Sequence, residues 1–194
     1  MRIKLLDLLG NDEVALAGSE NGKQALVKLI TTVQRPSSVE PLFLDFSGIH
    51  SATGSFLRES VLGFRDYCRS QIPDLYPVVA NASESVLEDL QIMLENKKDL
   101  LLTCTLDGKG KTTDVQLIGV VDNIQKETIA AVNSAGEADA VRLAEQEASA
   151  SKDRTKEVQA TKWNNRLAAL ASKGILVETR HGRAKRYRSI LEVK

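Results

Sequence analysis

The chain has 194 residues, 42% of them hydrophobic and 27% charged, which suits one large or two small globular domains and excludes a disordered or collagen-like composition. Its 26 Lys and Arg balance its 26 Asp and Glu, but the balance is uneven along the chain: from Lys152 onward 12 basic residues face 4 acidic ones, about +8, which leaves about −8 in the first 151. A basic end suited to a polyanion therefore follows an acidic body, the plainer alternative being a solvated basic tail.

The N-terminus MRIKLLDLLGNDE lacks the apolar core and small-residue cleavage site of a signal peptide, and no apolar run reaches the length of a membrane span, so a cytoplasmic location is expected. Residues 3–8 (IKLLDL) and 14–17 (VALA), separated by Gly10, Asn11 and Asp12, read as two strands of a hairpin, with a helix competing for the first run. Ser19 stands as an N-cap before a helix with the stripe Ala25, Leu26, Leu29, Ile30 and Val33, ended by Arg35-Pro36. The run 42–46 (LFLDF) predicts a buried central strand. A second helix covers 53–70, with Leu57, Val61, Phe64 and Cys68 inward and Arg58, Glu59, Arg65, Asp66 and Arg69 outward. Residues 76–80 (YPVVA) predict another strand, which Pro77 restricts to a strand start or edge. Ser83 caps a third helix running to about Asn96. Strand and helix alternate through these residues, the pattern of an α/β layer.

The pattern then changes. Residues 100–106 and 113–119 flank a DGKGK turn and predict a hairpin that finishes the sheet. A helix over 121–134 packs through Ile124, Thr128, Ile129 and Val132, and Gly136 ends it. A second, over about 137–149, packs through Ala138, Val141, Ala144 and Ala148. The polar segment EQEASASKDRTKEVQ predicts a mobile connection of roughly ten residues or a frayed helix end. The last helix, 159–173, turns Trp163, Leu167 and Leu170 to one face. Gly174 caps it, and a β-rich run, a turn at His181-Gly182-Arg183 and a basic return strand follow.

Two stretches carry functional expectations. Leu42–Leu57, LFLDFSGIHSATGSFL, resembles the core of STAS domains, the fold of anti-sigma factor antagonists, through Asp45-Phe46-Ser47-Gly48-Ile49 and Thr53-Gly54-Ser55-Phe56-Leu57. It is closer still to bacterial STAS-like domains of unknown function that end this loop in Ser-Phe-Leu. The resemblance implies a mixed sheet with helices over residues 1–120 and a regulatory loop comprising Asp45, Ser51, Thr53 and Ser55. In ordinary antagonists the loop carries a phosphorylated serine; a gapless register places Thr53 and Gly54 there, so Ser55 is the best substitute acceptor. The alternative is local: Ser and Thr cap the helix, and Asp45 holds the turn through loop amides. His50 beside Ser51, Ser55 and Asp45 makes no recognisable catalytic spacing, so catalysis is not expected.

Thr161–Arg188 resembles the recognition helix and wing of a winged helix-turn-helix domain, which would occupy 121–194. That resemblance implies base contacts from Gln159, Thr161, Lys162, Asn165 and Arg166, whose side chains suit base edges. Phosphate contacts would come from Arg180, Arg183, Lys185, Arg186 and Arg188. Cys68 and Cys104 fit no metal spacing and predict buried thiols, and the sequence offers no phosphate-binding glycine motif, so no cofactor is expected. The combined expectation is an α/β protein in which a STAS-like domain precedes a small winged helix. It would act as a DNA-binding transcriptional regulator, possible as a homodimer, with double-stranded DNA as partner. The alternative is a partner-switch adaptor whose loop binds a kinase-like ATPase and whose winged helix serves assembly.

Overall fold

The computed structural model describes residues 1–10, 15–151, 156–182 and 184–193. Internal contacts divide the chain into two compact units, Met1–Val120 and Val121–Glu192. The first is an α/β layer with a mixed sheet. Its elements are β1 (Arg2–Lys4), α1 (Leu5–Leu9), β2 (Ala15–Leu16), α2 (Ser19–Thr32), β3 (Glu40–Asp45), β4 (Ser51–Ala52) and α3 (Gly54–Leu57). A π-helical turn, Arg58–Leu62, leads into α4 (Gly63–Gln71), β5 (Leu75–Ala80), α5 (Glu84–Lys97), β6 (Leu100–Leu106) and β7 (Thr112–Gly119). The strand order is β1-β3-β5-β6-β7, parallel through β6, with β7 returning antiparallel. Ile3, Leu42, Leu44, Leu75, Val79 and Leu101 from the sheet form one core with Ala25, Leu29, Phe56, Phe64, Leu90 and Leu94 from the helices.

The expected N-terminal hairpin does not form. β1 pairs in parallel with β3, Ile3 opposite Leu44, and β2 pairs in parallel with β4, Leu16 opposite Ala52. Gly10, read as a turn residue, caps α1 at φ 69°, donating its N–H to the Leu6 carbonyl at 3.2 Å. Glycine serves hairpin turns and left-handed helix caps alike, and pairing with the buried strand β3 gives Ile3 a ladder and a core that a local hairpin lacks. Asn11, Asp12 and Val14 lie outside the described residues. Ser19 is the first residue of α2 rather than its cap; Gly18, at φ 87°, takes that place.

Pro77 is not at an edge: β5 is the middle strand of the sheet and all six of its residues are buried. The missing N–H is harmless for a geometric reason. Asn81 donates its N–H to Cys104 of β6, whereas the Ala80 carbonyl accepts from Phe46 near β3. Backbone groups alternate along a strand, so Pro77, on the parity of Asn81, presents its ring nitrogen toward β6. Pairing with β6 starts only at Val79. Arg65, expected outside, is buried and joins Asp66 and Asp99 at 2.8 Å each while donating to the Leu100 carbonyl. It follows Val61 by four residues and so adjoins the apolar face, where the carboxylates compensate its charge. The helix over 53–70 also contains a widened turn. Ser60 Oγ donates to the Phe56 carbonyl at 2.7 Å, occupying an acceptor that a regular helical N–H would use.

The second unit contains α6 (Asn123–Ala135), α7 (Ala140–Ser151), α8 (Lys156–Ser172), β8 (Leu176–His181) and β9 (Ala184–Ser189). Asp122 and Gln125 form a reciprocal capping box at the start of α6, and Gly136 ends it at φ 71°. Between α6 and α7, Ala138 forms an antiparallel bridge with Tyr187 of β9. The two helices on either side of the polar segment extend into it, so only residues 152–155, which lie outside the described residues, separate α7 from α8. The ten-residue connection expected there is thus largely helical. Leu143 and Ala144 form the inner face of α7, while Val141 is 58% exposed and Ile124 of α6 is 48% exposed, both against expectation. The positions 140, 143, 144, 147 and 148 keep helical spacing as the less exposed side, and Val141 falls outside that set.

Candidate functional site

In α8, Trp163, Leu167 and Leu170 are buried, and Trp163 Nε1 donates to Glu147 Oε2 of α7 at 2.7 Å. Three elements meet around the opposite side of this helix. Thr161 and Asn164 are exposed and line a groove of about 620 Å³ with Arg142 of α7 and Lys185 of β9, together with Asp139 and Glu145. Asp139 caps α7, accepting the Arg142 N–H at 2.8 Å, and the Arg142 guanidinium donates to the Glu137 carbonyl. Asn165 and Arg166 face a separate hollow of about 290 Å³ shared with Asp122, Gln125 and Thr128 of the α6 end. Lys162 Nζ lies 3.5 Å from Glu147, and the Arg166 guanidinium lies over the Trp163 ring at 5.3 Å.

The residues expected to read bases are therefore not on one surface. Gln159 precedes Trp163 by one helical turn, which places it on the inner flank; its Oε1 is buried and finds no hydrogen-bond partner among the described residues. Arg142 and Asn164, by contrast, join the groove although the sequence reading passed over both. Asn164 adjoins Trp163 in sequence and was available to the helical wheel; Arg142 had no such signal, because it comes from a different helix.

The hairpin places its charges with less freedom than the sequence suggested. In the β8–β9 register Glu178 stands opposite Tyr187 and Arg180 opposite Lys185, so these four share one face. Lys185 Nζ is 2.9 Å from Glu178 Oε1 and Arg180 Nε is 3.7 Å from the same oxygen. Tyr187, fully buried, donates its hydroxyl to Glu178 Oε2 at 3.2 Å. Burial pushes its phenol up to about 12, reinforced by the neighbouring carboxylate. On the other face Glu137 receives Thr179 Oγ1 and Arg186 Nη1, each at 3.3 Å. Arg188 donates to the Ser189 carbonyl, and Arg183 lies outside the described residues.

These carboxylates also revise the charge division. From Val121 to the end there are 14 basic and 10 acidic residues, an excess of 4, because six acidic residues precede Lys152 within this stretch. Two of those six, Glu137 and Glu147, hold cations of β9 and α8 directly.

In the first unit, the loop after β3 is organised by Asp45. Its carboxylate is fully buried and receives the Arg2 guanidinium, Ser47 N–H at 3.0 Å, Ser47 Oγ at 2.7 Å and Asn81 Nδ2 at 2.8 Å. Burial raises the carboxyl pKa, but the hydrogen bonds from Ser47, Asn81 and Arg2 outweigh it and hold the group below the ordinary aspartate range. Asn81 completes the junction by accepting the Leu106 N–H, with its own backbone at φ 54°. Thr53 is exposed and caps α3: its Oγ1 accepts the Phe56 and Gly18 N–H groups and lies 3.1 Å from Ser55 Oγ. Ser51 and Ser55 are half-buried. His50 is exposed, and the groups bound to Asp45 are Arg2, Ser47 and Asn81 rather than its imidazole.

Among the described residues no group of three or more His, Cys, Asp or Glu side chains is placed to hold a metal ion, and no helix is long and apolar enough to cross a membrane. Cys68 and Cys104 are buried free thiols, pushed by desolvation up to about 12 and about 11. Comparison with protein-family models, with curated proteins and with solved structures finds no match to this chain.

Proposed function

We propose that the chain is a DNA-binding transcriptional regulator, with an N-terminal STAS-like domain that receives a signal by protein contact and a C-terminal winged helix-turn-helix that binds double-stranded DNA. The observation that carries this reading is the Ala138–Tyr187 bridge. It adds a third strand to the hairpin between α6 and α7, giving the order helix, strand, helix, helix, hairpin in which a winged helix presents its third helix and wing together. The short separation of α7 from α8 supports the same arrangement.

On this reading the groove bounded by α7, α8 and β9 receives the DNA backbone. Thr161 and Asn164, with Asn165 beside them, face the major groove, and Arg142 and Lys185 meet phosphates. Gln159 has no part in base contact. Affinity for duplex DNA should fall steeply as salt rises, and absence of binding to any duplex at low salt contradicts the reading.

A second reading, the partner-switch adaptor that binds a kinase-like ATPase, draws on the Thr53–Ser55 hydroxyl pair at the start of α3. Phosphate there would add about two negative charges beside backbone amides. Intact-mass measurement after incubation with cell extract tests it; an unmodified chain leaves no support for a phosphorylated loop.

A further inference from the structure

Glu178 occupies a position that a nucleic-acid-binding hairpin does not need for folding charge balance alone. It is anchored from below by Tyr187, whose hydroxyl is fixed in a buried ring. From above it takes Lys185 at 2.9 Å and Arg180 at 3.7 Å, two of the cations that the hairpin would otherwise offer to phosphate. The exposures are graded in the same order: the Glu178 side chain is 27% exposed, Lys185 40% and Arg180 74%. The carboxylate is therefore the fixed member of the cluster and the cations are the mobile ones.

We propose that Glu178 is an internal competitor for nucleic-acid phosphates, which suppresses sequence-independent binding by the hairpin; the proposal rests on the DNA-binding reading above. A polyanion that meets the hairpin alone must draw Lys185 away from Glu178 and then lies against a carboxylate that cannot follow. A backbone seated in the groove meets Arg142, Thr161 and Asn164 as well, and those contacts offset the repulsion. Selectivity then comes from a repulsive element directed at the wrong mode of binding rather than from an added attraction. The same carboxylate keeps the hairpin ordered in the absence of DNA, because Tyr187, Lys185 and Arg180 all converge on it.

The test is a binding cycle on the full chain with a random-sequence DNA duplex over a range of salt. Glu178→Gln keeps an oxygen for the Tyr187 hydroxyl and removes the charge. It should bind about three- to tenfold tighter than the wild type and steepen the salt dependence by about one phosphate contact. Glu127→Gln, an exposed glutamate of α6, should leave both quantities unchanged. Lys185→Ala should cost the wild type less than about twofold, because that lysine is already neutralised, and should remove most of the gain in the Glu178→Gln background. This last variant is a surface change and keeps the test open if Glu178→Gln fails to fold: a loss from Lys185→Ala as large as that from Arg142→Ala overturns the competitor. Wild-type binding that Glu178→Gln does not alter overturns the competitor and leaves the DNA reading standing. Binding by neither protein removes both.

Discussion

Ala138 and Tyr187 exchange both of their backbone hydrogen bonds, Ala138 N–H to the Tyr187 carbonyl at 2.9 Å and Tyr187 N–H to the Ala138 carbonyl at 2.8 Å. Through this one pair the segment between α6 and α7 becomes the third strand beside the hairpin, and Tyr187 carries the side chain that seals it. Truncating Tyr187→Ala should destabilise the second unit by about 3–5 kcal/mol, read from chemical denaturation followed through Trp163, the chain's one tryptophan. A smaller loss would mean that the hairpin packs without it.

The same tyrosine gives an alkaline signature. Its phenol ionises near pH 10 in an unfolded chain but only at about 12 in the fold, so the unfolded state releases its proton first. Its contribution is complete below about pH 10 and declines as pH rises from there to about 12. Tyr187→Phe should flatten the stability profile across that window. A profile unchanged by the substitution contradicts the burial of the hydroxyl against Glu178.

Asp45 predicts the opposite sign at acid pH. Its folded pKa lies below the ordinary value, so its contribution is present above about pH 4 and is lost as pH falls through the folded value. Asp45→Asn should cost about 2 kcal/mol, less than a fully buried pair because the Arg2 side chain is 46% exposed, and should flatten the acid limb of the curve. Equal acid sensitivity in both proteins would show that other carboxylates control it.

Gly22 marks where α2 meets the start of the long helical segment. A Cβ there would lie 2.7 Å from the Phe56 carbonyl oxygen and 2.9 Å from Glu59 Cβ. Gly22→Ala should therefore destabilise the first unit by about 1–3 kcal/mol despite the better helix propensity of alanine. A stabilised variant would mean that the two helical segments separate readily.

The sequence made the α/β class and much of its local structure legible, because those signals are local. Ser83 caps α5, the stripe Val86, Leu90 and Leu94 is buried, and Trp163, Leu167 and Leu170 form the inner face of α8. What it did not make legible depends on distant partners. Nothing near Ile3 indicates that its ladder lies at Leu44, and nothing in Leu75–Ala80 says that β6 pairing begins only after Pro77. The same limit applies to the candidate site. Residue type suggested a uniformly basic hairpin, whereas the register sets Glu178 against Lys185 and the first turn of the unit sets Glu137 against Arg186. Arg142 entered the groove from another helix, and Gln159 left it by one turn of helical phase.

Those differences separate the proposed DNA surface from a simple reading of charge. Arg142→Ala should weaken duplex binding across sequences and reduce the salt slope by about one. Asn164→Ala should instead cost about 1–3 kcal/mol on a preferred sequence and little on random DNA. Gln159→Ala should change neither. Competition titrations with selected and random duplexes check all three, and a Gln159→Ala effect equal to that of Asn164→Ala would contradict the orientation of α8.

The central claim is that the second unit binds duplex DNA through the groove between α7, α8 and the hairpin. Its most direct measurement is fluorescence anisotropy of a labelled random-sequence duplex titrated with the full chain at several salt concentrations. The account predicts saturable binding at low salt that weakens as a linear function of the logarithm of salt, with a slope lowered by Arg142→Ala. No binding at low salt, or binding whose salt slope Arg142→Ala leaves unchanged, would contradict it.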